Sequence, residues 1–290
     1  MLAIIIPFYK ISYFDKTVAS LLSQTNKNFT VYIGNDASPD DPTSIIKQLD
    51  GIINYRYKRF SDNMGSTSLV AQWNRCIAMM EDEPWFMILG DDDYLSEDFV
   101  ESFYQSLTVA DKHHINVIKS AQKWVDEDNQ SINEKTQYPE ISDAAQHFED
   151  KYLGRSRMSL SELIFRKEAF DKTGFINLPM AWWSDVLAFL DVSSFGKVFF
   201  MQQSTVYVRI SAESISGSES NMAEKRMVQV QFLAAVLERH GARLSRSLYS
   251  TLFTDFIYYN KLLKTNLKLK KIYPTKMKAG ALLKYLISKN

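Results

Sequence analysis

Along the first 120 residues two kinds of pattern alternate. Short runs rich in β-branched and aromatic residues, LAIIIP (2–7), FTVYIG (29–34), INYRYK (53–58), WFMIL (85–89) and INVIKSA (115–121), read as strands. Between them lie helix-length segments with start signals: Ser12 with Asp15 as a capping box, Asp41-Pro42 ahead of TSIIKQL, and Ser96-Glu97-Asp98 ahead of FVESFYQSL. Unbroken apolar runs fit strands covered on both sides. The pattern therefore predicts an α/β fold with a mostly parallel sheet flanked by helices. Ligands of such sheets gather at the carboxyl ends of the strands.

Beyond residue 120 the pattern changes. Residues 125–158 turn polar and lose periodicity, which predicts an excursion over the sheet, a suitable place for acceptor specificity. Order resumes in LSELIFRKEAFDKTGF (160–175), and VFFMQQSTVYVRI (198–210) reads as one or two strands. From Asn221 the pattern is helical to the end, broken at Pro274. The predicted division is a ligand-binding and catalytic part over 1–216 and a helical C-terminal extension over 217–290. Lys261 to Asn290 holds nine lysines and no acidic residue, interleaved with Leu, Ile and Tyr at amphipathic spacing. Two readings stay open for it. One is an anionic membrane face, each lysine contributing about 1 kcal/mol near such a surface. The other is a solvated helix face packed on the body of the protein. Lysines without arginine, and without aromatics at base spacing, argue against a nucleic-acid partner.

Composition narrows the chemistry. The chain has 290 residues, 46% of them hydrophobic, enough for a large core, and 34 basic residues balance 34 acidic ones. A single cysteine forbids an intrachain disulfide and suits a reducing compartment. Cys76 shares helical spacing with Trp73, Ile77 and Met80, so a buried thiol is expected. His113, His114, His147 and His240 have no metal-ligand spacing, and neither a Gly-x-Ser-x-Gly elbow nor a CxxC pair occurs. Zinc sites and hydrolase triads are thereby disfavoured. MLAIIIPFYK lacks a basic n-region and is too short for a signal peptide or a spanning helix, so a cytoplasmic location is expected.

The chemistry-bearing residues fall at strand ends. WFMILGDDDYL places Asp91, Asp92 and Asp93 just past an apolar strand, where like charges repel unless a cation lies between them. Mg²⁺ or Mn²⁺ with a bound diphosphate meets that need; a solvated turn capping the helix after Ser96 is the alternative. An EF-hand is excluded, since the sixth position is no glycine and the twelfth is Ser102. Asp36, in YIGNDASPDD, suits either a base or ribose contact or an Asx turn. Tyr9 follows Pro7 and offers a flat face for a base, or a half-buried ring with no ligand. Asp185, before VLAFLDV, reads by itself as a helix cap. Trp182 and Trp183 suit either a sugar platform or core packing.

Taken in order, IIIPFYK, GNDASPDD, NMGSTSLVAQWN, MILGDDDYL, TGF, WWSDV and YVRISAESIS resemble the motif series of family 2 glycosyltransferases, GT-A fold enzymes that use nucleotide sugars, and in particular the bacterial polysaccharide-building members. The resemblance covers roughly residues 1–216. It implies that Pro7 and Tyr9 lie at the nucleobase, with Lys10 where the family has asparagine. Asp36 becomes the base-binding carboxylate, with Asn35 in place of the preceding aspartate. Asn63 and Gly65 match an NxG loop, and Asn74 the asparagine of the next helix. In the acidic motif Gly90 replaces the first aspartate. The metal ligand accordingly falls on Asp92, supported by Asp93, with Asp91 near ribose or metal. Asp185 becomes the general base, with Ser184 where the family has glutamate. Arg209 becomes a diphosphate contact, with Ser211 where the family has histidine, and Ser214 and Ser216 match the small polar residues that follow.

The resemblance thus implies an inverting, Mn²⁺- or Mg²⁺-dependent hexosyl- or N-acetylhexosaminyltransferase. Its expected donor is a UDP-sugar, and its expected acceptor, met by Trp182 and Trp183, is a glycan or lipid-linked oligosaccharide of surface polysaccharide such as lipopolysaccharide or capsule. A peripheral position on the inner face of the cytoplasmic membrane would follow from the tail. One rival is an inactive sugar-nucleotide sensor or membrane scaffold of the same fold, which the replaced motif residues leave open. A nucleotidyltransferase would need a Gly- and Arg-rich phosphate loop near the first strand, and IIIPFYKISYF has none.

Overall fold

The computed structural model describes residues 1–211, 222–277 and 280. Its centre is a nine-stranded sheet of β1 (Leu2–Phe8), β2 (Phe29–Asn35), β3 (Asn54–Arg59), β4 (Trp85–Ile88), β5 (Tyr94–Leu95), β6 (Val117–Val125), β7 (Ile141–Asp143), β8 (Leu163–Arg166) and β9 (Lys197–Arg209). The spatial order is β3-β2-β1-β4-β8-β6-β9-β5, with β7 also on β9. The predicted parallel half is present: β3, β2, β1 and β4 run parallel. The other half is mixed, because β8 is antiparallel to both β4 and β6, while β5 and β7 add antiparallel to β9.

Strand alternation sends odd and even residues of β1 to different cores. Leu2, Ile4, Ile6 and Phe8 meet α1 (Phe14–Leu22), α2 (Thr43–Ile46) and α4 (Phe99–Lys112). Ala3 and Ile5 meet the other layer, formed by α3 (Leu69–Ile77), α5 (Ala144–Tyr152), α6 (Lys167–Asp171), α7 (Ser184–Val192), α8 (Met222–His240) and α9 (Arg246–Leu262). Helices on both faces are what the unbroken apolar runs required. The outermost parallel strand β3, NYRYKR, is charged and largely exposed, which discourages edge pairing.

Several expectations are corrected. Helix α1 begins at Phe14 after Tyr13, without a side-chain cap, so the Ser12–Asp15 box does not form. Residues 125–158 are not structureless. They carry the end of β6, a tight turn in which Asp126 Oδ1 accepts from the amides of Asp128 and Gln130, then β7 and α5. The segment 198–210 is one long strand, β9, whose pairing with β6 jumps from Ser120–Met201 to Ala121–Thr205, leaving residues 202–204 of β9 as a bulge. Helices α8 and α9, in the expected helical C-terminal extension, join the same apolar cluster as the sheet. Lys261 and Leu262 end α9, and over residues 263–277 the basic tail is not amphipathic helix. After α9 it runs back over the α8–α9 turn, Tyr273 N–H donating to Tyr249 Oη and Lys276 Nζ to the carbonyls of Ala242 and Leu244. The positions of Ser214 and Ser216, and most of 278–290, lie outside the described residues.

Candidate functional site

Three loops meet at the carboxyl ends of β1, β2 and β4. Asp91, just past β4, accepts from the backbone amides of Tyr9 and Lys10, both at 2.7 Å. Tyr9 carbonyl in turn accepts from Ser38 Oγ at 2.6 Å, and Asp36 N–H donates to the Phe8 carbonyl. Tyr9 is left 39% exposed beside this junction. Pro7 is tolerated within a central strand because it lies in its last two residues, paired with Gly34.

The acidic turn is held from below. Thr17 Oγ1, on α1, donates to the Asp91 and Asp93 carbonyls at 3.1 and 2.7 Å. Ser161 Oγ accepts from Gly90 N–H and donates to Asp93 Oδ2 at 2.5 Å. Asp93 Oδ1 accepts from Arg209 N–H at 2.8 Å. Both oxygens of Asp93 are thus turned inward, and the expectation of a supporting metal ligand is corrected to an organiser of the turn. Burial, then the charge of Asp92, pushes the Asp93 carboxyl up to about 8, against the Ser161 and Arg209 bonds. Asp91 rises to about 7 for the same two reasons, opposed by the Lys10 and Tyr9 amides and the Lys10 charge. The repulsion expected from three adjacent carboxylates is therefore present in the fold.

Arg209 is also corrected. It is 2% exposed, and its guanidinium donates to the carbonyls of Asp92 (3.2 Å), Asp126 (2.6 Å) and Glu127 (3.3 Å) and to Asn129 Oδ1 (2.6 Å), over the Tyr13 ring. It ties the acidic turn to the turn after β6, with four of its five N–H groups engaged by protein acceptors, so it acts as an organiser of these two turns rather than as an open diphosphate contact.

Asp36 is 3% exposed and saturated by protein donors: Met64 N–H at 2.9 Å, Gly65 N–H at 2.8 Å and the Arg75 guanidinium. It holds the NxG loop rather than presenting a bare carboxylate to a base. Gly65 is required by that approach, since a Cβ there would stand 2.5 Å from Asp36 Oδ2. Asn63 Oδ1 closes the loop on Ser66 N–H. Asn74 is exposed, on the side of α3 away from buried Gln72 and Cys76; the residue that reaches Asp36 from this helix is Arg75. Arg75 also pairs with Asp62 and lies over the Phe60 ring at 3.9 Å. Cys76 is buried as expected, and burial pushes its thiol up to about 12.

Asp185 occupies the first turn of α7. Burial raises its carboxyl above the ordinary range, opposed by Lys151 and by the amides of Val186 and Asp185 itself. Helix amides make such a carboxylate more than a cap, because they aim it from a fixed turn. The approach is strained. Met180, Ala181 and Trp183 all have left-handed φ, at 55°, 52° and 69°. A left-handed tryptophan is rare and costs on the order of 1–3 kcal/mol, a pattern concentrated at functional sites. Trp183 is held there by stacking on Phe232 of α8, centroids 4.4 Å apart, which makes it a packing residue and corrects its acceptor role. Trp182 stays half-buried, with the Lys225 ammonium 4.7 Å from its ring.

Residues that the sequence patterns did not single out support the acidic turn and lie near α7. Ser161 grips the acidic turn, its neighbour Glu162 pairs with Lys119 at 3.6 Å, and Lys151 Nζ lies 5.4 Å from the Trp183 ring. A Ser-x-x-Glu signal was readable there, and Ser159 with Glu162 forms a capping box. Arg75 and Lys151 had no such signal. A cleft of about 700 Å³ between α1, β5 and β9, lined by Lys16, Tyr94 and Tyr207, contains none of these groups.

Among the described residues no three His, Cys, Asp or Glu side chains form a metal cage. The donor set fits a hard dication differently: a partly exposed Asp92 between two repelled carboxylates suits an ion whose remaining ligands are phosphate oxygens and water.

Residues 3–173 match the family described as Glycosyl transferase family 2. The chain belongs to that family. A curated relative, the uncharacterized glycosyltransferase alr2836 of Nostoc sp., is 25% identical over 258 residues, 81% of this chain and 76% of its own. In fold, this family 2 glycosyltransferase is similar to Staphylococcus aureus TarS 1-349 in complex with UDP-GlcNAc, with a TM-score of 0.66, 16% identity and coverage of 99% and 79% of the two chains. It is also similar to the mannosyltransferase PcManGT of Pyrobaculum calidifontis in complex with GDP-Man and Mn²⁺, with a TM-score of 0.55, 9% identity and coverage of 99% and 79%. The GT-A type α/β fold expected from the sequence is thus the fold found. Among the described residues, no helix is long and apolar enough to cross a membrane.

Proposed function

We propose that this family 2 glycosyltransferase transfers a hexosyl or N-acetylhexosaminyl group from a nucleotide sugar, a UDP-sugar first among candidates, to a hydroxyl of a glycan or lipid-linked acceptor in surface polysaccharide synthesis, with inversion at the anomeric carbon. The observation that carries this reading is the convergence of the Tyr9, Asp36 and Asp91–Asp93 loops at adjoining strand ends, held together by the Tyr9 and Lys10 amides on Asp91, Ser38 on the Tyr9 carbonyl and Ser161 on Asp93. Tyr9 stacks the base, and the loop fixed by Asp36 and Arg75 lines the nucleoside. Asp92 holds the Mn²⁺ or Mg²⁺ together with the diphosphate. When bound, the ion offsets negative charge growing on the leaving diphosphate. Asp185 accepts the acceptor hydroxyl proton as that oxygen attacks opposite the leaving group, so one displacement inverts the centre. Trp182 offers its exposed edge to the acceptor ring. The lysine-rich tail suits an anionic membrane surface.

Incubation with a panel of UDP- and GDP-sugars, with and without Mn²⁺, and with glycan acceptors, tests the reading by nucleotide release. Acceptor-dependent release of one nucleotide is expected. Tight donor binding without release under any acceptor would replace it with a sugar-nucleotide sensor.

A further inference from the structure

We propose that the end of α9 and the coil that follows it, Tyr258 to Lys271, form the face by which this enzyme lies on an anionic lipid surface. The inference rests on the reading of the lysine-rich tail as membrane-directed, and it places the contact on a folded surface rather than on the last residues of the chain.

The apolar residues of this stretch sort into two sets. Ile257, Tyr259, Leu263, Leu269 and Ile272 are partly buried against the core that α8 and α9 share with the sheet. Tyr258, Leu262 and Leu267 point the other way: Tyr258 is 59% and Leu262 54% exposed, and Leu267 is exposed beyond them. Tyr258 and Leu262 stand four residues apart on α9, so they share one face of the helix. The Asn260 side chain brackets Leu267 in place. Its Nδ2 donates to the Leu267 carbonyl at 2.8 Å, and its Oδ1 accepts from Leu267 N–H at 3.0 Å and from Thr265 Oγ1. The reversal so closed holds Lys264 and Asn266 at left-handed φ of 50° and 55°. Leu267 is thus presented to solvent by a backbone fixed on both sides, and neighbouring large apolar side chains held in water mark a surface that meets something.

The charge around these residues has one sign. Lys261, Lys264, Lys268, Lys270 and Lys271 are all exposed. The single acidic residue of α9, Asp255, is spent on α5, where its Oδ2 accepts from Tyr152 Oη at 2.6 Å. Glu238 is met by the Lys270 N–H at 2.6 Å and not by its ammonium. Among the described residues, Lys261, Lys264, Lys268 and Lys270 form no ion pair, so their charge is open to a partner. Lysine stems can lie along an apolar surface while their ammonium groups reach lipid phosphates, and exposed leucines enter between headgroups. A soluble polyanion would use the lysines and leave Tyr258, Leu262 and Leu267 in water, which favours the bilayer. Through Tyr152, whose ring lies 6.4 Å from that of Trp183, α9 also touches the layer that carries Asp185, a placement suited to a lipid-linked acceptor.

The test is flotation of the full chain with vesicles of equal parts phosphatidylglycerol and phosphatidylcholine, at low and high salt. Binding is expected at low salt and its loss at high salt. Lys264→Glu/Lys268→Glu is expected to bind about tenfold or more weakly, and Leu262→Ser/Leu267→Ser several-fold more weakly. Should either fail to fold, Lys261→Gln/Lys271→Gln and Tyr258→Ser carry the same expectations. A chain ending at Gly280 is expected still to float. Binding that survives both double variants and is lost on ending the chain at Gly280 overturns the proposal, while leaving a membrane role to the last residues. No binding by the full chain overturns the membrane reading of the tail as well. Equal binding to phosphatidylcholine alone overturns the role of the lysines, and tighter binding to heparin, indifferent to Leu262→Ser/Leu267→Ser, replaces the bilayer with a soluble polyanion. Nucleotide release to a soluble acceptor is expected to be unchanged in these variants, and its loss would assign the residues to the transferase fold instead.

Discussion

At the scale of single residues, charge and hydrogen bonding decide which acids work and which hold. Asp185→Asn keeps the side-chain shape in the first turn of α7 but cannot take a proton, so acceptor-dependent turnover is expected to fall about a hundredfold to ten-thousandfold, with nucleotide affinity unchanged by calorimetry. An equal loss of both would assign Asp185 to structure. Asp92→Ala is expected to abolish the increase in nucleotide affinity brought by Mn²⁺, measured as a shift in melting temperature. Asp93 has a different signature. Its folded carboxyl titrates near 8 and its unfolded one near 3.8, so the native state binds the extra proton between those values. Stability from this group therefore falls as pH rises from about 4 to 8 and is level beyond. Asp93→Asn, with Ser161 and Arg209 still bonded, is expected to flatten that decline in thermal melts. The sequence reading recognised all three acids by type, but it did not distinguish the inward two, since which oxygens meet Ser161, Arg209 or the Tyr9 amide is fixed by contacts 68 to 116 residues apart.

Elements show why some of the site was legible and some was not. Strand positions were readable because β1, β2 and β4 are short apolar runs whose period is set by burial alone. Helix α5 and strand β7 were missed because AAQHFEDKY buries only Ala144, His147 and Phe148, too few positions to mark a period. The NxG loop was found by pattern, yet the reason for its glycine is tertiary. Gly65→Ala would press a methyl group onto Asp36 Oδ2, so the loop must move. A stability loss of about 1–3 kcal/mol and weakened donor binding are expected, measured by denaturant melts and calorimetry. Asn74→Ala, on the exposed side of α3, is expected to leave donor affinity unchanged, whereas Arg75→Met should weaken it through the freed Asp36.

On the scale of the whole molecule, the C-terminal helices pack into the same apolar cluster as the sheet. Phe232 carries the Trp183 indole, and Tyr273 closes on the α8–α9 turn, where a Cβ at Gly241 would come within 2.7 Å of its ring. Met277 beyond it is 3% exposed. A chain ending at Leu263 is therefore expected to melt several degrees lower than one ending at Gly280. Liposome flotation at low and high salt with the second truncation separates membrane attachment by the last lysines from this packing role. The lysine pattern alone did not distinguish the two, because the same residues serve a solvated surface and a packed coil.

The left-handed run from Met180 to Trp183 has a consequence for how this enzyme can change. A backbone pinned in three unfavourable rotations relaxes as soon as its clamp is loosened, and the clamp, Phe232, lies more than forty residues away on another helix. Grafting the acid at 185 onto a related scaffold would thus carry over the side chain without its aim, and substitutions deep in α8 should retune reactivity without touching either sugar.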